Sequence, residues 1–309
     1  MAKRFDVLTL GLTVIDLLVS TVDESIFARE TSNMDSIRML LGGDALNQAI
    51  ALSALGSKTC LLGVVGNDQL GEVLLSRLAE YPITVLERRI EAKTGISIVM
   101  SKGDGERHFL LQTGHNAELC YDHIDEQAVR DSAIVSIGSC MSLKSFDGAD
   151  TVRFLELARS GGALSAMDFK INRSDYDMPS ILESFRLADY LLPSEGDVKT
   201  LTGEGEDPVK MAQGMHDLGG KNVIIKLGER GCYVSAEGVE KHIPALPANC
   251  VDATGAGDSF VAAFLHGKAR GWDVERCARF ANAAGAIAVE QSGANGAIRS
   301  ERQVLERMN

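Results

Sequence analysis

The stretch Val251-Asp252-Ala253-Thr254-Gly255-Ala256-Gly257-Asp258-Ser259-Phe260 holds residue types at a spacing from which phosphoryl chemistry can be built. It reads as a side-chain-poor turn running into a helix that begins near Asp258. Gly255, Ala256 and Gly257 leave room for a ligand to approach the backbone closely. The first N–H groups of a new helix have no partner within it, and the helix dipole adds positive potential, so the turn suits an anion, most often a phosphate. Asp258 is a carboxylate placed to take a proton from a hydroxyl as that hydroxyl is phosphorylated. An anion cradle beside a general base is the minimal apparatus for phosphoryl transfer. Asp258 also reads as a plain N-cap before an apolar helix.

A second group of residues could hold a polyhydroxy acceptor. Phe5 to Leu12 reads as a buried strand, and Asp16 follows just past its carboxyl end, where ligands of open α/β sheets gather. A carboxylate there can accept two or more hydroxyl hydrogen bonds, although a loop-capping role fits the same residue. Gly42-Gly43 leads into a small-residue helix, Ala45 to Leu55, and Asn47 on it offers both donor and acceptor.

The elements that must position these residues follow a βα rhythm. Thr59 to Val65 reads as a strand and Gly71 to Glu80 as a helix. From Ser132 onward strands and helices alternate: Ala133 to Gly138, Thr151 to Ser160, Ala163 to Phe169, Ser180 to Leu187, Tyr190 to Pro193, and then a strand over Asn222 to Leu227. Such alternation predicts a mainly parallel sheet with helices on both faces. Thr94 to Leu111 breaks the rhythm with two β-prone runs around Gly103-Asp104-Gly105, a hairpin signal. With Leu17 to Thr21 and Ser36 to Leu41, these runs predict a small antiparallel sheet standing apart from the main one. One domain over residues 1–309, with a β lid from about 13–41 and 92–113, is the simplest organisation.

Composition narrows the partners. A net charge of −12 argues against nucleic acid or an anionic membrane, and no apolar run approaches a membrane span. Asp6 and Asp16 interrupt the only signal-peptide-like run. The six cysteines lie scattered without a Cys-x-x-Cys pair, which favours reduced thiols and a cytoplasmic protein. The six histidines show no metal-ligand spacing. There is no Gly-x-x-x-x-Gly-Lys-Ser/Thr loop, no Gly-x-Gly-x-x-Gly after the first strand and no Gly-x-Ser-x-Gly elbow, which removes P-loop kinases, nicotinamide enzymes and serine hydrolases.

Asp252-Ala-Thr-Gly-Ala-Gly-Asp-Ser-Phe260 resembles the C-terminal signature of the ribokinase-like (phosphofructokinase-B type) sugar and nucleoside kinases, and Gly42-Gly43-Asp44-Ala45-Leu46-Asn47-Gln48-Ala49 resembles their Gly-Gly-x-x-x-Asn-x-Ala signature. Gly63 to Gly71 resembles a further segment of the family. The resemblance runs over essentially the whole chain. It implies a ribokinase-like three-layer α/β fold with a β-sheet lid, and an ATP-dependent kinase acting on a primary hydroxyl of a small sugar. Asp258 would be the base, and Gly255, Ala256 and Gly257 the anion hole. Asp16, Gly42, Gly43, Asn47 and, from the lid, Arg107 would hold the sugar, although Arg107 also reads as a solvated edge charge. Lys226-Leu-Gly228-Glu-Arg-Gly231 resembles the nucleotide-binding turn. Asn282 matches a position near the adenine and equally suits a surface helix position. Asp252, Thr254 and Gly293 correspond to a site for a monovalent cation, which makes K⁺ activation a hypothesis. A homodimer formed through the lid is a further implication.

The chain also departs from the family. Pro193-Ser194-Glu195-Gly196-Asp197 stands where relatives have Asn-x-x-Glu, the segment that holds phosphate and the Mg²⁺ water shell. Ser194 replaces the asparagine and Asp197 the glutamate, and a helix-start cluster is the competing reading. In Asp168-Phe169-Lys170-Ile171-Asn172-Arg173, Lys170 falls where many relatives have asparagine and Asn172 where they have arginine. Segments such as Gly114-His115-Asn116-Ala117 lean towards ribokinase, whereas Ile137-Gly138-Ser139 and the Asp168 segment lean towards fructokinase and ketodeoxygluconate kinase. A nucleoside kinase, or a catalytically weak sugar-binding regulator on the same fold, remains an alternative at this stage.

Overall fold

A computed structural model describes residues 3–20, 22–101, 107–172 and 174–309, the side chains of Ser20, Glu24, Ser101 and Arg107 excepted. In chain order its strands are β1 (Phe5–Leu10), β2 (Val14–Ser20), β3 (Ser36–Gly42), β4 (Thr59–Gly66), β5 (Ile83–Ile90), β6 (Ile96–Ser101), β7 (Arg107–Gln112), β8 (Ser132–Cys140), β9 (Leu164–Phe169), β10 (Tyr190–Leu191), β11 (Val223–Lys226), β12 (Cys232–Ala236) and β13 (Val239–Ile243). The helices are α1 (Asp44–Ala54), α2 (Gln69–Leu78), α3 (Glu126–Arg130), α4 (Ala149–Ser160), α5 (Met178–Leu187), α6 (Glu195–Thr202), α7 (Pro208–Asp217), α8 (Ala256–Ala269), α9 (Val274–Ala288) and α10 (Glu301–Met308).

The larger sheet has the order β13-β12-β11-β10-β9-β8-β1-β4-β5. It is parallel from β5 through β11, and β12 and β13 close it antiparallel. Its inner strands are buried on both faces, so they read as continuous apolar runs, and side-chain alternation sorts them into two cores. Leu8, Val135, Met167 and Ile225 pack with Phe154, Ile181, Phe185 and Met211 of α4, α5 and α7. Their neighbours Val7, Ile134, Ala166 and Ile224 pack with Val261, Phe264 and Phe280 of α8 and α9. A third cluster, including Ile15, Leu46, Ile50, Leu61 and Leu74, joins α1 and α2 to the smaller sheet.

This is the expected three-layer α/β fold, with three differences of detail. The small sheet, ordered β3-β2-β6-β7, is mixed rather than antiparallel, because β2 and β6 run parallel. The two are joined by a long crossover through β3, α1, β4, α2 and β5, and a crossover of that kind lets strands run in the same direction. The edge strand β5 has an exposed charged end that hides its strand pattern. The β12–β13 hairpin turns through Glu237 and Gly238, both at positive φ (53° and 80°), the type I′ geometry that suits two-residue hairpins. The Gly103-Asp104-Gly105 turn lies outside the described residues.

The chain builds outward from β1 in both directions, to β4 and β5 on one side and to β8, β9, β10 and β11 on the other. Order reverses between β1 and β8, and the crevice beyond their carboxyl ends is where an open α/β sheet binds its ligands.

Candidate active site

Helix α8 starts at Ala256, two residues earlier than the sequence suggests, with Gly255 as its N-cap in the left-handed region at φ 74°. A Cβ on Gly255 would lie 2.5 Å from the Ala294 carbonyl oxygen, so no side chain fits. At Gly257 the space is open, and a Cβ would meet only the Lys226 ammonium, at 3.6 Å. The first-turn N–H groups thus face a cradle edged by a cation. Asp258 is in the first turn and does not cap the helix. Its Oδ2 accepts a hydrogen bond from Asn47 Nδ2 at 2.7 Å, and the residue is 8% exposed. Burial, then the charges of Asp44 and Asp168, push its carboxyl well above the usual range, against the hydrogen bond from Asn47 and the charge of Lys226. A base with a raised pKa is better matched to a hydroxyl proton.

The residues expected to hold the acceptor are brought together by β2, β3 and α1. Asp16 lies within β2 on the small sheet, and not in a loop after β1. Its carboxyl rests against Gly42, the last residue of β3, where a Cβ would sit 2.1 Å from Asp16 Oδ2. Only glycine leaves that carboxyl its place. Gly43 caps α1, and Asn47 follows one turn later, buried, with its Oδ1 lacking any hydrogen-bond partner among the described residues. Burial raises the Asp16 carboxyl to about 6, with Asp44 adding to the rise and the Ser97 hydrogen bond and Lys170 opposing it. Arg107 opens β7 opposite Ser101, and its side chain lies outside the described part.

Beneath these groups is a polar floor whose pairings the sequence reading does not give. Lys226 Nζ bonds Asp168 Oδ1 at 2.5 Å, Gln48 Nε2 donates to Asp168 Oδ2 at 3.0 Å, and Ser136 Oγ donates to Gln48 Oε1 at 2.8 Å. Burial carries the Asp168 carboxyl up to about 6 despite Lys226. Burial works against the Lys226 ammonium, but Asp168, Asp197 and Asp258 outweigh it and raise its pKa. Lys226 thus stands as an ammonium at the end of β11, paired with Asp168 and facing the first turn of α8 at Gly257. Asp44, an unspecified position of the Gly-Gly-x-x-x-Asn pattern, takes a hydrogen bond from Ser139 Oγ at 2.5 Å and pairs with Lys170 at 3.8 Å. The sequence meets Asp168 only as the head of the segment 168–173 at the carboxyl end of a strand, with no sign of its partners.

Next to Lys226, to which Ser194 is bridged, the other expected nucleotide residues are engaged structurally. Ser194 caps α6 and forms a capping box with Asp197: Ser194 N and Oγ donate to Asp197 Oδ2 at 2.9 and 2.5 Å, and Asp197 N donates back to Ser194 Oγ at 3.2 Å. Gly228 and Gly231 bracket a short turn after β11. Asn282 is buried in α9 and donates to the carbonyls of Ile243 and Pro244 at 3.1 and 3.2 Å, so it holds the end of β13.

Asp252 ties two loops together. Thr254 N donates to its Oδ1 and Gly293 N to its Oδ2, each at 2.7 Å, and Asp252 is 2% exposed. Thr254 Oγ1 is buried without a hydrogen-bond partner among the described residues. The oxygen atoms on view here are a buried carboxylate engaged with two backbone N–H groups and a hydroxyl without a hydrogen-bond partner among the described residues. Among the described residues no cluster of three His, Cys, Asp or Glu is arranged to hold a metal ion. A Mg²⁺ carried in by phosphates and touched by one carboxylate fits this site better than a dedicated metal cage. Among the described residues no helix is long and apolar enough to cross a membrane, and all six cysteines are free.

The profile described as pfkB family carbohydrate kinase matches residues 4–301. A ribokinase from Haemophilus influenzae is 28% identical over 290 residues, covering 90% of this chain and 90% of its own. Fructokinase-1 from Oryza sativa subsp. japonica is 28% identical over 287 residues, covering 86% of this chain and 88% of its own. The solved structure of Arabidopsis thaliana ribokinase complexed with ribose and ATP is 25% identical, with a TM-score of 0.82 over 100% of this chain and 99% of that one.

Proposed function

The chain belongs to the pfkB family of carbohydrate kinases, and from that premise we propose that it transfers the γ-phosphoryl group of ATP to a primary hydroxyl of a small sugar, a pentose first and a ketohexose second. The observation that carries this reading is the pairing of a buried, high-pKa Asp258 with the open first turn of α8, beside an Asn47 oxygen that lacks a partner. Asp16 and Asn47 orient the acceptor. Asp258 takes the hydroxyl proton as that oxygen attacks in line. The N–H groups of Gly255, Ala256 and Gly257, with Lys226 beside them, stabilise the charge that develops on the phosphoryl oxygens.

The turn at Gly228–Gly231 and the helix start at Ser194 would take the nucleotide, with Asn282 shaping the adenine end by holding the β13 terminus. Mg²⁺ would neutralise phosphate charge near Asp197, and K⁺ would sit among the carbonyls around Asp252, Thr254 and Gly293. The small sheet lies over the acceptor crevice, and its closing would exclude water. Its exposed apolar residues Ile37, Phe109 and Leu110 support pairing of two lids in a homodimer. Free cysteines support a cytoplasmic setting.

The test is ADP release with Mg²⁺ and ATP across ribose, fructose, 2-keto-3-deoxygluconate and adenosine, with and without K⁺, on protein whose mass is read by light scattering. Turnover of one sugar is expected, faster with K⁺. If the protein fails to bind ATP, the reading falls.

A further inference from the structure

Asp44 is the residue of the acceptor crevice that neither the general base nor the anion cradle requires, yet the fold goes to some length to place it. It opens α1 directly after Gly43, with its side chain 17% exposed. Ser139 Oγ donates to its Oδ2 at 2.5 Å. Ser139 is a buried non-glycine residue at φ 66°, beside Met141 at φ 70°, where the register of β8 against β9 shifts between Ile137 and Cys140. Bulges and left-handed non-glycine residues are costly, and they persist where they re-aim a side chain at a site. Here the re-aimed side chain grips Asp44.

The other partner of Asp44 is Lys170, whose Nζ lies 3.8 Å from Oδ1. Two lysines stand among the carboxyls of Asp16, Asp44, Asp168 and Asp258. Lys226 is committed to Asp168 beneath α8. Lys170, its side chain 43% exposed, is a cation on the acceptor side among the described residues, and its charge is felt by Asp16. Asp44 is the largest influence on Lys170, ahead of Asp258, Asp16 and Asp168. A carboxylate on an incoming acceptor would have to displace Asp44 from Lys170 and then lie among carboxyls of its own sign.

Resting on the kinase reading above, we propose that Asp44 is a specificity-determining residue: it occupies Lys170 as a built-in carboxylate, so that the crevice admits uncharged polyols and rejects sugar acids. Specificity of this kind is a difference of affinities achieved by repelling the wrong ligand.

The experiment compares ribose with ribonate, and fructose with 2-keto-3-deoxygluconate, by calorimetric binding to the wild type, Asp44→Asn and Asp44→Asn/Lys170→Ala. Asparagine keeps an acceptor for Ser139, and Asp44→Ser replaces it if the melting curve shows that Asp44→Asn is misfolded. The wild type is expected to bind each neutral sugar about a hundredfold better than its acid, since like-charge juxtaposition is costly. In Asp44→Asn the acid should gain about tenfold or more relative to the neutral sugar, and the gain should vanish in the double variant. Acids binding the wild type as tightly as the sugars would overturn the proposal. So would an unchanged preference in Asp44→Asn, or a gain that survives loss of Lys170. Binding needs no turnover, so ADP release by the wild type scores the kinase reading separately.

Discussion

The proposed acceptor end and the proposed nucleotide end of the crevice are built by different means. At the acceptor end the work is given to side chains: Asp16 and Asp258 are held as carboxyls with raised pKa, and Asn47 keeps an oxygen without a partner among the described residues. At the nucleotide end the exposed features are turns and helix starts, and the side chains expected to bind are spent on structure. Ser194 and Asp197 cap α6, and Asn282 holds two carbonyls of the β13 terminus. Proton transfer depends on the identity and protonation of a single group, so it needs particular side chains kept partly unsatisfied. A chain of phosphates can be held by backbone N–H groups, which every sequence supplies. Substitutions at the acceptor end should therefore damage chemistry, and those at the nucleotide end should damage affinity or stability.

The largest contrast is expected at Asp258. Asp258→Asn keeps the shape of the side chain and removes the base, and general-base catalysis is worth roughly 10²–10⁴-fold in rate. Steady-state assays should show kcat down by about a thousandfold, while ATP affinity from equilibrium binding stays within about twofold. An equal fall in both would mean that Asp258 supports the cradle and does not act as the base.

How much of this was legible in the sequence follows the same division. Gly255 to Asp258 and Gly42 to Asn47 are local motifs, and each lies within one turn-to-helix unit whose geometry its own residues dictate. The βα rhythm is local too, and it yields the parallel sheet. The floor is not: Lys226 with Asp168, Gln48 with Asp168 and Lys170 with Asp44 each join different elements, and nothing in any one segment names its partner. The parallel pairing of β2 with β6 is hidden for that reason as well, since strand direction is fixed by a long crossover. Ser194 is legible as a helix start and as a phosphate contact alike, and the capping box shows its structural use without excluding the other.

A smaller effect would sharpen the reading of that cap. Asp197→Asn retains an oxygen to accept from Ser194 and loses the charge that would meet a hydrated Mg²⁺. The expected result is a KM for MgATP raised about tenfold, roughly the worth of one charge-assisted hydrogen bond, with kcat changed less. Ser194→Ala should instead lower the melting temperature by about 2 °C, since an N-cap is worth about 1 kcal/mol. If Asp197→Asn alters only the melting temperature, the pair is purely structural and the nucleotide end relies on backbone alone.

The smallest effect concerns what the acceptor end costs the fold. Burial holds the Asp16 carboxyl at about 6, above its ordinary value of 3.8. Between those values the native state keeps a proton that the unfolded chain has lost, so stability falls as pH rises through this window and levels off above about 6. Asp16→Asn removes that penalty. Thermal melts should therefore show the variant a few degrees above the wild type at pH 7.5, with the gain shrinking as pH falls below about 6 and gone near pH 4. The same variant should lose acceptor binding, because the carboxylate that destabilises the fold is the group proposed to accept the sugar hydroxyls. A variant no more stable than wild type at pH 7.5 would mean that the Ser97 hydrogen bond and Lys170 fully offset the burial of Asp16, and the contrast between a strained acceptor end and a relaxed nucleotide end would lose its energetic basis.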